Sequence, residues 1–252
     1  TMGAGRVILN HLPRIISAIG DGTFFENEAF KKAAAHTKQH NSAFHLMGLF
    51  SSGSVHAYMN HVYALLDFVE RENVERVVVP PFTDGRDAPT DEGARVIAEL
   101  AAQIRDHYPH AIIGSVIGRH FAMDRDGRWD RTERAYRLLT EGAGEPFTDA
   151  AAFVRASYEK GVSDEFIEPG YRAEEDSAAR GRIRDGDAVL YWDFREDSAR
   201  QLTAAFAEES FSHFARKKLA DICFVTMTEY DKTFPVEVAF PPSKVAPEID
   251  KG

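Results

Sequence analysis

The chain has 252 residues, 44% of them hydrophobic and 28% charged, with a formal net charge of −10 at pH 7. That length suits one large α/β domain or two small ones, and the acidic balance excludes the broad basic face that nucleic acid requires. No apolar run approaches the roughly 18–20 residues that cross a bilayer, and no basic segment followed by an apolar stretch opens the chain, so no membrane partner and a cytoplasmic location are expected.

In chain order, Asn27 is placed to N-cap a helix over residues 28–36. A near-continuous apolar run at 44–50 follows, then a helical period over 55–70, with apolar side chains at Val55, Val62, Leu65, Leu66 and Val69. The alternation repeats: a run at 77–82, a helix over 92–108, a run at 112–117 and a helix over 132–139. Residues 141–184 break the rhythm with Gly142, Gly144, Pro146, Pro169 and Gly170 around short helical stretches at 149–159 and 163–166, and read as an excursion from one domain. Runs at 188–194 and 222–227 complete the set; the second holds the only cysteine, Cys223, as a small core residue of a reducing compartment. Pro235, Pro241, Pro242 and Pro247 exclude a helix or a central strand at the end and suggest a strap leaving the domain. This is an α/β pattern, with a mainly parallel central sheet of about five strands flanked by helices on both faces.

Open parallel sheets bind ligands beyond the carboxyl ends of their strands. The residues there are polar in every case: Ser51-Ser52-Gly53-Ser54-Val55-His56, Asp84-Gly85-Arg86-Asp87, Gly118-Arg119-His120 with Arg125 and Arg128 behind, Arg195-Glu196-Asp197, and Thr228-Glu229-Tyr230. Arginines at three separate strand ends point to a pocket for a multiply charged anion, because each guanidinium is a planar fork that fits carboxylate or phosphate oxygens two at a time. The competing reading pairs these arginines with Asp84, Asp87, Asp124, Asp126 and Asp197 as ordinary ion pairs at the sheet rim. Asp87 and His56 are the evident proton carriers, and a carboxylate among arginines stays ionised until a bound charge offsets them. Gly3-Ala4-Gly5 lacks the strand and third glycine of a dinucleotide fingerprint, and Asp124-Arg125-Asp126-Gly127 has its glycine too early for an EF-hand. No Walker loop, zinc-ligand spacing or nucleophile elbow occurs, so neither a metal cage nor an activated nucleophile is expected of this chain.

His45-Leu46-Met47-Gly48-Leu49, Gly53-Ser54-Val55-His56, Asp84-Gly85-Arg86-Asp87, Gly118-Arg119, and the stretch from Ala122-Met123-Asp124-Arg125 to Trp129-Asp130-Arg131 occur in one order. With Asp185-Gly186-Asp187-Ala188, Phe194-Arg195, Arg200-Gln201-Leu202 and Phe224-Val225-Thr226-Met227-Thr228-Glu229-Tyr230 they resemble the cofactor-independent phosphoglycerate mutases over nearly the whole chain. The resemblance implies an isomerase acting in glycolysis and gluconeogenesis, with two domains facing across a cleft. A phosphatase-like domain, related to alkaline phosphatase, carries two divalent metals, typically manganese, and the serine that takes the phosphoryl group; the other domain grips the glycerate. This chain is similar to the second, so residues 1–6 are expected to be residual inter-domain linker, 7–236 the substrate-binding (phosphotransferase) domain and 237–252 the return linker. It implies that this chain binds no metal, is inactive alone, is monomeric, and has phosphoglycerate and the phosphatase-like domain of the same polypeptide as partners. Matched by motif, His56, Arg86, Asp87, Arg119, Arg125 and Arg195 are the substrate contacts, with Asp87 the catalytic proton shuttle. Ser198 stands where that family usually has a second substrate arginine. Arg200, two residues on and roughly 200° round a helix, is not a simple replacement. A phosphonate analogue as substrate and a stand-alone anion-binding module are the alternatives.

Overall fold

All six residues of Phe44–Leu49 are buried, which a strand achieves only when both faces of its sheet are covered. The computed structural model describes residues 11–173 and 181–242. In order these form α1 (His11–Asp21), a 3₁₀ turn (Thr23–Glu26), α2 (Glu28–His40), β1 (Phe44–Leu49), α3 (Met59–Arg71), β2 (Val77–Val79), β3 (Pro81–Thr83) and α4 (Gly93–His107). Then follow β4 (Ala111–Ile113), β5 (Ser115–Gly118), α5 (Arg119–Ala122), α6 (Trp129–Glu141), β6 (Glu145–Phe147), α7 (Ala150–Glu159), a second 3₁₀ turn (Asp164–Phe166) and β7 (Gly170–Arg172). The last described elements are β8 (Ala188–Tyr191), α8 (Arg200–Ala207), β9 (Cys223–Thr228) and β10 (Glu237–Phe240).

The strands make one sheet in the order β10-β9-β8-β1-β3-β5-β7-β6, with β2 bridging β1 and β4 on the amino-terminal side. Every pairing is parallel except β5 with β7. The sheet is therefore α/β and mainly parallel as expected, but its strand count exceeds five. Two expected runs each divide: 77–82 at Pro80 and 112–117 at Gly114, so that β1 pairs first with β2 and then with β3. Proline cannot donate to a ladder, which explains the first break. The other additions are three- and four-residue strands at the two ends of the sheet, too short to show a period in the sequence. Two of them, β6 and β7, lie within the excursion 141–184 and attach it to the sheet through β5. The third, β10, lies in the segment 237–252 and pairs in parallel with β9, its ends marked by Val236 and Pro241. Proline beside an edge strand is tolerated because the outer side of an edge needs no donors. Residues 1–6 fall outside the described residues.

Helix α2 begins as expected: Asn27 Oδ1 accepts from the N–H groups of Ala29 and Phe30 at 3.0 and 3.3 Å, satisfying donors that have no intrahelical partner. Helix α3 begins later than expected, at Met59 and not at Val55. The His56 carbonyl is already taken, accepting from the Phe194 N–H at 2.8 Å, so the 51–58 segment is tied to the loop after β8 and cannot start a helix. The core sits between the sheet and its helices and includes Phe30, Phe44, Leu46, Phe68, Phe82, Tyr136 and Trp192, all at 2% exposure or less. Each such side chain contributes about 1.5–3 kcal/mol through burial. Cys223 is buried among them. Among the described residues no helix is long and apolar enough to cross a membrane.

Candidate functional site

The carboxyl ends of β1, β3, β5 and β8 bring most of the expected residues to one place. The turn after β3 is built on Asp84, whose Oδ1 accepts from the N–H groups of Arg86 and Asp87 at 3.1 and 3.0 Å. Gly85 enters it at φ 68°, and a Cβ there would stand 2.7 Å from the Glu165 nitrogen, so only glycine fits beneath the second 3₁₀ turn. Ser51, at the end of β1, donates to Asp84 Oδ2 at 2.7 Å. The Ser52 N–H donates to Glu92 Oε1 at 2.7 Å, which ties the same loop to the start of α4.

Arg119 begins α5, immediately after β5, and is 3% exposed. Its Nη1 donates to Asp84 Oδ1 at 2.7 Å and to Asp87 Oδ2 at 2.6 Å. Burial alone would raise the Asp84 carboxyl; the hydrogen bonds from Asp87, Arg119 and Ser51 outweigh it and hold that carboxyl below its ordinary value. On the open side of Asp87 lies His56, 2% exposed, with Nε2 at 3.7 Å from Asp87 Oδ2 and Nδ1 at 3.6 Å from Asp197 Oδ1. Burial, reinforced by the Arg119 charge, pushes His56 down to about 4, so the ring is neutral at pH 7. Asp197 in turn accepts from Arg125 Nη1 at 2.7 Å and Arg195 Nη2 at 2.9 Å. Hydrogen-bonded ion pairs thus fix Asp87 to Arg119 and Asp197 to Arg125 and Arg195, and His56 lies between the two carboxylates with no hydrogen bond at Nδ1.

Arg86 is the exception. Its guanidinium turns to Glu165 on the second 3₁₀ turn and is half-exposed. Ser198 is buried at 1% exposure and cannot reach a ligand. Nor does Arg200 replace the missing arginine: its Nε donates to the Tyr230 carbonyl at 2.8 Å. Tyr230 itself is buried and donates to the carbonyls of Tyr191 and Asp193, so the fifth strand end buttresses the site from behind.

Ser51, Asp84 and Asp197 are among the polar strand-end residues of the sequence, Asp84 and Asp197 with no role there beyond rim ion pairs, and Glu165 is the partner that the sequence does not point to. The structure joins the two readings, since the same arginines are ion-paired and clustered. The visible signal was spacing: Asp84 lies three residues before Asp87, and Asp197 two after Arg195. A cavity of about 370 Å³ opens at the opposite, amino-terminal ends of the strands, lined by His40, Asn41, Arg76, His110, Arg182 and Asp187 among others, and holds none of these groups. Among the described residues no three His, Cys, Asp or Glu side chains converge as a metal-ligand set. The site carboxylates are taken up by guanidinium and backbone donors, so these residues do not fit a divalent metal.

Together these features define an open, mainly parallel α/β domain that displays a charge-balanced arginine and carboxylate cluster at its strand ends. The chain belongs to the family described as BPG-independent PGAM N-terminus (iPGM_N), whose model matches residues 15–232. It is 47% identical to the 2,3-bisphosphoglycerate-independent phosphoglycerate mutase of Salinibacter ruber, over 95% of this chain and 47% of that protein, and 45% identical to that of Moorella thermoacetica, over 96% and 47%. A crystal structure of Leishmania mexicana phosphoglycerate mutase at low cobalt concentration superposes with a TM-score of 0.88 at 31% identity, covering 97% of this chain and 46% of that one. The chain spans about half the length of the relatives it matches.

Proposed function

We propose that this chain is the substrate-binding domain of a 2,3-bisphosphoglycerate-independent phosphoglycerate mutase, holding 3- and 2-phosphoglycerate while a phosphoryl group passes between the two hydroxyls. The observation that carries this reading is the convergence of Arg119 and Arg125, which follow β5, and Arg195, which follows β8, on Asp87, His56 and Asp197. A glycerate bearing carboxylate and phosphate is a small, multiply charged anion, and guanidinium forks grip both of its ends. Each of these arginines is already paired, so the ligand binds by recruiting their remaining N–H donors.

Asp87 is the proton shuttle in this reading. Arg119 anchors one of its oxygens, which keeps the carboxylate oriented to take a proton from one glycerate hydroxyl and return it to the neighbouring one. Neutral His56 contributes a hydrogen bond without adding charge. Arg86 reaches substrate by exchanging Glu165 for the ligand.

The phosphoryl-accepting serine and two divalent metals, manganese in this proposal, belong to a phosphatase-like domain of the same polypeptide, in keeping with relatives about twice as long. Those metals supply the Lewis-acid and nucleophile-activating chemistry. The chain works in the cytoplasm, as part of a monomer, in glycolysis and gluconeogenesis. Titration with 3-phosphoglycerate tests the grip, and a coupled assay with added Mn²⁺ tests the division of labour. Binding without turnover is expected; turnover by this chain alone overturns the assignment of the chemistry to the other half. Ser198 in the place of a second arginine motivates a second reading, in which a phosphonate analogue is preferred, and the same titration with that analogue decides between them.

A further inference from the structure

Resting on the function proposed above, we propose that Asp197 is the positioning residue of the pocket, a fixed carboxylate that holds Arg125, Arg195 and His56 in their ligand-binding arrangement before substrate arrives. The three groups come from separate parts of the chain. Arg125 follows α5, Arg195 follows β8, and His56 lies in the loop after β1. Both guanidiniums donate to the same atom, Asp197 Oδ2, at 2.7 and 2.9 Å. The second oxygen, Oδ1, accepts from the Ser198 N–H at 2.9 Å and faces His56 Nδ1 at 3.6 Å. The carboxylate is thus fixed by main chain on one side and presents charge on the other.

Two guanidiniums cannot share one small volume without an anion between them, because like charges repel and each long side chain gains entropy by turning into water. Arg125 and Arg195 have that freedom, with side chains 42% and 45% exposed. Asp197 cancels one of the two positive charges and leaves the other, with most of the N–H donors, for an incoming oxyanion. Burial alone would raise the Asp197 carboxyl; the nearby His56 and Arg195, with the Ser198 N–H and Arg125, hold it below its ordinary value, so it stays ionised throughout the neutral range. The His56 ring lies between two carboxylates, with Nδ1 at 3.6 Å from Asp197 Oδ1 and Nε2 at 3.7 Å from Asp87 Oδ2. The opposing possibility is that Asp197 occupies the place of the substrate anion and competes with it.

Asp197→Asn and Asp197→Glu in the 252-residue chain separate these possibilities. Calorimetric titration with 3-phosphoglycerate at low salt is expected to show about tenfold or greater weakening for Asp197→Asn, with partial recovery in Asp197→Glu and an unchanged thermal midpoint. Arginine side-chain Nε–H signals in NMR spectra, recorded without ligand, report the clamp itself: Arg125 and Arg195 are ordered in the wild type and exchange-averaged in Asp197→Asn. Equal or tighter binding by Asp197→Asn overturns the positioning role, and so do unchanged Nε–H signals. A wild-type chain that binds neither 3-phosphoglycerate nor inorganic phosphate overturns the proposed function, while the ligand-free signals still decide whether the clamp exists.

Discussion

Arg119 Nη1 lies 2.6 Å from Asp87 Oδ2, so the carboxylate that faces the pocket is tethered from below by a nearly inaccessible guanidinium. The same nitrogen holds Asp84, and Asp84 organises the turn that carries Arg86 and Asp87. Arg119→Met keeps the apolar stem and strands Asp84 as an uncompensated buried charge, which costs about 3–5 kcal/mol. Because the folded Asp84 carboxyl lies below its ordinary value of 3.8, its contribution is complete above that value and is lost as pH falls towards the lowered one. Removing the partner that lowers it moves the acid-unfolding midpoint of Arg119→Met to higher pH than that of the wild type. Urea unfolding between pH 7 and pH 3 measures both effects.

His61 in α3 is fully buried, and both of its ring nitrogens lack a partner while the ring packs edge-on against Phe194 at 5.9 Å. Burial pushes it down to about 4 from an ordinary 6.5, so the unfolded chain takes up a proton that the folded chain refuses. The His61 contribution to stability therefore falls as pH drops through that window, by about 1.4 kcal/mol per unit. His61→Phe fills the same space without the unpaired nitrogens and should be about 1–3 kcal/mol more stable at pH 7. The gain is larger at pH 5. Part of the wild-type slope persists in the variant, because His56 is displaced in the same direction.

Asp193 follows β8 and is completely buried, with Oδ1 accepting from the Leu49 N–H at 2.9 Å and Oδ2 unpaired. Burial pushes its carboxyl up to about 8, so folding binds a proton that the unfolded chain has released. The Asp193 contribution to stability accordingly declines from about pH 4 to pH 8, by about 1.4 kcal/mol per unit, and opposes the His61 and His56 contributions below pH 6.5. Asp193→Asn keeps the bond to Leu49 and removes the titration, at the cost of an unpaired amide donor worth about 1–3 kcal/mol. The variant begins below the wild type at pH 4 and crosses above it before pH 8. Parallel unfolding curves that never cross would show that Asp193 is ionised in the folded chain.

The five central strand lines were legible because near-continuous apolar runs such as 44–49 and 223–228 are required of strands buried on both faces. The short strands β6, β7 and β10, at the two ends of the sheet, obey no such requirement, and Glu145-Pro146-Phe147 carries no period at all. Helix α1 does carry an apolar stripe, with Ile15 buried and Leu12 and Ile19 packed beside it against the core, and it is a readable helix that the strand-and-helix alternation begun at Asn27 left out. In the site, the rule that ligands gather at strand ends identified Arg119, Asp87, Arg125 and Arg195. It gave no account of Asp197 as a hub, since three partners at 2.7, 2.9 and 3.6 Å are a property of three loops meeting. The delayed start of α3 was hidden for the same reason: the His56 carbonyl is claimed by Phe194, far along the chain.

Gly48 shows how a core contact reaches the site. It sits at φ 151°, and a Cβ there would fall 2.6 Å from Asp193 Oδ1 and 2.7 Å from Trp192 Nε1. Trp192 is fully buried and donates to the Leu49 carbonyl at 2.8 Å, so neither side chain has room to yield. Gly48→Ala must therefore displace the end of β8, at a cost of about 1–3 kcal/mol from overpacking together with the backbone strain. Asp193 lies two residues before Arg195, and the displacement carries the Arg195 guanidinium off Asp197. Weaker binding of 3-phosphoglycerate is expected alongside the lost stability. Pairing Gly48→Ala with Asp193→Ala removes the closest clash, so the double variant should lose less stability than the sum of the single changes. Strict additivity in urea unfolding would place the strain elsewhere than against Asp193.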